Sequence, residues 1–127
     1  MASLNDPRNT SGQLISAADV EGTSVYDLAG EKLGSVETVM LDKRSGRIAY
    51  AVMSFGGFLG VGHKHHPLPW QTLTYDPAMG GYVVDLDRDR LEGAPVYDDG
   101  VMPLDDEAFG RRVHDYYGVT PFWSTVM

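Results

Sequence analysis

From Leu33 onward the chain alternates short apolar runs with clusters of glycine, proline and acidic residues, the rhythm of strands joined by tight turns. Apolar residues between Leu33 and Leu41 change phase: Val36 and Met40 fall on one parity, Val39 and Leu41 on the other. A bulge near Gly34 reconciles the two phases and bends the strand, as a small barrel needs. Asp42-Lys43-Arg44-Ser45-Gly46 is a turn by composition, with the glycine placed to take a positive φ. The next run, Arg47 to Phe55, is apolar on both parities, which predicts a central strand covered on both faces.

Around this hairpin the other elements are shorter. Residues 1–13 are polar and aperiodic and read as a mobile arm. Residues 14–20 form a lead-in, and Thr23–Tyr26 is a strand joined to Leu33–Leu41 by the turn Asp27–Glu31. After the glycine-rich segment Gly56–Gly62, Lys64–Trp70 is expected to be extended, because each proline pushes its predecessor out of the helical region. A second hairpin pairs Leu73–Asp76 with Tyr82–Leu86, and Asp87–Glu92 reads as one helical turn stopped at Gly93. In the C-terminal part, acids lead and arginines follow from about residue 104 to 117, ahead of Gly118, which predicts a helix. Phe109, Val113 and Tyr116 or Tyr117 share one of its faces. The expected division is thus an arm over 1–13, a β-domain over 14–92 and an extension over 93–127.

Composition narrows the class. With 127 residues there is room for one domain and one modest core. Hydrophobic residues make up 43% and charged residues 22%, ordinary globular usage. There is no cysteine, which excludes disulfides, thiolate metal sites and a cysteine nucleophile. The N-terminus carries no signal-peptide core and no run reaches the ~18 apolar residues of a transmembrane helix, so a cytoplasmic protein is expected. The net charge of −8 repels phosphate backbones, so nucleic acid is not an expected partner. Charge is unevenly placed, with ten acids and two bases over 76–107 against five bases and two acids over 32–75. That distribution is either a solvated acidic face or a pair of complementary surfaces able to attract a partner, another copy included.

Three pieces, taken in order, resemble the PRC-barrel family over about residues 14–91. They are Gly22–Val36, then Val39–Asp42 with Gly46–Val52, then Gly56–Gly62 followed by Lys64 and Pro67-Leu68-Pro69-Trp70. The resemblance implies an all-β fold, a small antiparallel barrel of about six strands, here with a C-terminal helical extension. The family takes its name from the cytoplasmic domain of the photosynthetic reaction centre H subunit. A similar barrel forms half of a ribosome-maturation factor, and both uses are protein docking. The chain looks like a freestanding member.

Candidate chemistry is sparse. His63, His65 and His66 are the only clustered ligand-type residues; on an extended segment His63 and His65 share a face, and a metal site needs further ligands. Polar side chains at the surface beside a loop, a metal site and a pH-responsive contact are the three readings of that segment. Gly57, Gly60 and Gly62 do not form a dinucleotide fingerprint, and Asp85–Asp89 fails as a calcium loop because Arg90 and Val96 stand where glycine and glutamate belong. No hydrolase or metalloprotease motif occurs, so no catalytic residue and no cofactor are expected. The expectation is therefore a non-catalytic assembly module that self-associates, its candidate partner contacts Phe58, Leu59, Tyr116, Tyr117, Phe122 and Trp123; the alternatives for these residues are that the tail aromatics pack on their own barrel and that Phe58 and Leu59 tuck over its mouth. The alternative is a metal or small-ligand sensor built on His63, His65 and His66.

Overall fold

A computed structural model describes residues 14–55, 64–98 and 103–121. Along the chain lie a short helix α1 (Ala17–Val20) and strands β1 (Ser24–Tyr26), β2 (Lys32–Leu41), β3 (Ile48–Phe55), β4 (Lys64–Pro69), β5 (Thr74–Asp76) and β6 (Gly81–Val83). Helix α2 (Arg88–Glu92), strand β7 (Tyr97–Asp98) and helix α3 (Glu107–Tyr117) follow. Among the described residues seven strands form one sheet in the order β5-β6-β1-β2-β3-β4-β7.

Two expectations need correction. The sheet has seven strands where about six were expected, and its order ends at β5 and β7, so the hydrogen bonding does not close a barrel among the described residues. Pairing is not antiparallel throughout either: β1 and β6 run parallel, with Val25 beside Tyr82 and Tyr26 beside Val83. A parallel pair needs a long crossover, and here the β2–β5 hairpin chain supplies it.

The sheet curls because β2 is irregular on both sides. Against β1 the register skips Leu33, the neighbour of Gly34, and against β3 it skips Glu37. Inserting an extra residue shifts the inward positions from every second residue to every third, so Leu33, Val36 and Val39 are all buried. At Gly34 the backbones are close: a Cβ there would stand 2.0 Å from the Ser54 carbonyl oxygen. Only glycine permits that approach.

Val25, Leu33, Val36, Ala51, Met53, Leu68, Tyr82, Val84 and Leu91 fill the interior of the curl. Asp87 caps α2 by accepting the Arg90 N–H, which sets Leu91 into this core with no exposed surface. Burying one leucine so completely contributes ~2–3 kcal/mol.

The opposite face of β3 is covered as well. Ala49, Tyr50 and Val52 pack with Tyr97 of β7 and with Phe109 and Val113 of α3. Asp106 caps α3 through the Ala108 N–H, and the helix closes at Gly118. A strand apolar on both parities is thus sandwiched between the core and the C-terminal helix.

Candidate interaction surface

The β4 segment follows the alternation an extended chain requires. His66 turns inward opposite Met53 and is 4% exposed, while His65 lies on the other face beside Tyr97. Burial pulls the His66 imidazole down to about 4, against weaker upward pulls from backbone hydrogen bonds at Leu91 and Lys64. The His65 Nδ1–H donates to Glu37 Oε1 at 2.7 Å, and its ring stacks on Tyr97 at 5.0 Å. Glu37 is the bulge residue of β2, two strands away, and the bulge aims it across β3. Beside this pair the Lys64 Nζ donates to Asp98 at 2.6 Å, so both residues of β7 are tied to β4.

The histidine segment is therefore divided between core and surface. His63 lies outside the described residues, and among the described residues no three of His, Asp and Glu stand together as a metal site. His114, on α3, is buried, and its Nδ1–H donates to the Gly110 carbonyl at 2.7 Å. Its ring meets the edge of Tyr50 at 5.4 Å. Desolvation pushes the Tyr50 hydroxyl up to about 12 and raises that of Tyr117 further, so both are neutral phenols at ordinary pH.

Of the residues expected to touch a partner, Phe58, Leu59, Phe122 and Trp123 lie outside the described residues. Tyr116 and Tyr117 stand on the last turn of α3 and engage their own chain. Tyr117 packs against both the inner core and the outer layer. Tyr116 and Arg90 form a reciprocal latch: the tyrosine hydroxyl donates to the Arg90 carbonyl, and the guanidinium donates to the Tyr116 carbonyl. The guanidinium carbon also sits 4.9 Å from the Tyr116 ring centroid. Tyr116→Phe is expected to lower stability by about 1 kcal/mol, one hydrogen bond's net worth, read as a shifted urea midpoint. An unchanged midpoint would show that the latch holds nothing.

Apolar side chains that do face solvent stand elsewhere. Leu14 is 77% exposed, Leu28 70%, Leu41 51%, Tyr75 48%, Ile15 47% and Met79 36%. Leu28 projects from the β1–β2 turn, which Asp27 holds by accepting the Ala29 and Glu31 N–H groups. A cleft of about 330 Å³ opens there, lined by Asp27, Leu28, Ala29, Asp85, Leu86, Asp87 and Arg90. The Met79 methyl reaches the same turn, 3.9 Å from where a Gly30 Cβ would stand. Sequence reasoning passed over these positions. The available signal was a leucine inside a turn that must be solvated, and another at the end of a strand whose inward positions were already filled.

A sheet whose strand β3 is covered by the core on one face and by α3 on the other, with apolar side chains exposed at its turns, defines a small β-domain. The PRC-barrel domain matches over residues 12–92, and the chain belongs to that family. In general this is a family of non-enzymatic domains, and at family level the domain is a small interaction module. No curated protein matches the chain. No helix among the described residues is long and apolar enough to cross a membrane.

Proposed function

We propose that this chain is a non-catalytic assembly module that associates with copies of itself. The observation that carries this reading is where the exposed apolar side chains stand. Leu28 lies in the turn whose Gly30 the Met79 methyl approaches, Tyr75 lies on the edge strand β5, and Leu41 ends β2. Exposed apolar residues scattered singly need no explanation, but leucines near both ends of the longest strand and a tyrosine on a sheet edge stand where an interface can use them. The two faces of β3 are already occupied within the chain, so contact falls to the strand ends and the edges. Residues 58, 59, 122 and 123 remain part of the proposed contact surface on the strength of their aromatic and apolar character.

A sensor built on the histidines has less support. His65 is engaged by Glu37, and His66 faces the core, so ligand binding there has to displace existing contacts. Sedimentation velocity of the full chain over a range from ~5 to ~500 μM tests the assembly reading, with growth in the weight-average sedimentation coefficient expected. A coefficient that stays at the monomer value across the range refutes it.

A further inference from the structure

Strand β2 is the long axis of the sheet, ten residues from Lys32 to Leu41, on the order of 30 Å along the strand. Its two ends carry opposite charge around an exposed leucine. At the start, Leu28 lines the cleft with Asp27, Asp85 and Asp87, and Arg90 is the one base in that lining; Lys32 and Arg88, whose guanidinium donates to the Lys32 carbonyl, stand at the same end outside the lining, against Glu31 and Asp89. The Arg90 guanidinium is drawn away toward the Tyr116 carbonyl and ring. At the other end, Leu41 leads into the β2–β3 turn, where Lys43, Arg44 and Arg47 are exposed. The only acid of that turn, Asp42, is bonded to Ser45, whose side chain first and N–H second hold its carboxyl below the usual range; Asp27 and Asp87 of the cleft accept backbone N–H groups in the same way.

We infer that the basic tip around Leu41 of one copy docks into the acidic, Leu28-lined cleft of the next, so that this chain assembles head to tail. The inference rests on the self-association reading and names its surfaces. Complementarity is the argument for the occupant: the cleft lining counts three acids against one base, and residues 42–47 count three bases against one acid. The two ends of one strand cannot reach each other within a molecule, so the match is met only between molecules. An apolar centre inside a charged rim is the ordinary anatomy of a specific contact, the leucines supplying contact area and the charges fixing orientation. Because tip and cleft are different surfaces, each docked copy leaves one of each free, and growth continues unless the rotation closes a ring.

Two full-length variants test the assignment. Arg44→Glu with Arg47→Glu reverses the tip, and Leu28→Ser with Asp85→Lys alters the cleft; all four side chains are exposed, and circular dichroism checks that both variants fold. Sedimentation velocity is run on the wild type at low and high salt, on each variant, and on their mixture. Wild-type association is expected to weaken by about tenfold or more between 50 and 500 mM NaCl, since rim charges are screened. Each variant alone is expected to stay monomeric. Their equimolar mixture is expected to form a dimer that grows no further, because the tip variant keeps an intact cleft and the cleft variant an intact tip. Wild-type association that resists salt and survives in both variants overturns these surfaces while leaving self-association standing. Variants that are monomeric both alone and mixed overturn the head-to-tail arrangement. A wild type that is monomeric at every concentration removes this inference and the assembly reading together.

Discussion

Gly34→Ala is expected to destabilise the protein by about 4 kcal/mol, at the upper end of what single substitutions do. The cause is a collision of backbones. The added Cβ would stand 2.0 Å from the Ser54 carbonyl oxygen and 3.1 Å from its carbon, and neither is the end of a flexible side chain. Relief requires β2 and β3 to separate where Gly34 faces Phe55, at the end of the longest pairing in the sheet. Gly46→Ala is the matched control. Gly46 has a φ of 76° and open space around it, so the substitution there carries only the strain of left-handed backbone, about 1 kcal/mol. Urea unfolding of both variants separates the two causes. Equal losses would mean that β2 and β3 are not in close approach at Gly34.

The second large effect is acid lability. The His66 imidazole titrates at about 4 in the folded chain because burial disfavours its charge, whereas the ordinary value is about 6.5. Between those values the unfolded chain binds a proton that the folded chain refuses. Stability from this residue is therefore complete above pH ~6.5, falls as pH drops toward 4, and levels off below. The difference is worth roughly 3 kcal/mol across that window. The neighbouring His65 and Glu37 act on His66 in opposite directions and by less than burial. In His66→Gln the slope of unfolding free energy against pH between 4 and 6.5 should flatten, while other titrating groups keep theirs. Identical slopes in the two proteins would show that His66 is not the acid-sensitive group.

How far the sequence could be read depends on whether a feature is local. The β2–β3 hairpin was legible because Asp42–Gly46 is a turn by chemistry and the run after it is apolar on both parities. That double parity correctly implied cover on both faces, though not that α3 supplies one of them. Helix α3 was legible from its own ends, with acids leading and Gly118 closing. The parallel pairing of β1 with β6 was not legible, since three-residue strands carry no sign of which distant strand they join. β7 escaped because two residues, Tyr97 and Asp98, show no periodicity.

The site divides in the same way. Alternation of His65 and His66 follows from an extended segment, whereas Glu37 as the partner of His65 follows from a bulge two strands away. The phase change in β2 pointed to an irregularity near Gly34, and the structure has one there at Leu33 and a second at Glu37. Tyr116 and Tyr117 were expected, from their character alone, either to pack on their own barrel or to hold a second copy. Character does not say which chain an aromatic ring will hold, and here the ring of Tyr116 holds Arg90 of its own chain.

The placement of α3 bears on how the protein is made. The family match ends at residue 92, yet the outer face of β3, with Tyr50 and Val52, is sealed by Phe109 and Val113. On a translating ribosome the curled sheet can form before its cover emerges, and until then it carries a bare apolar stripe beside an open edge. Such a nascent chain exposes apolar surface and a strand edge, the features that make folding intermediates adhesive. The last helix thus acts as the step that turns a sticky intermediate into a finished surface.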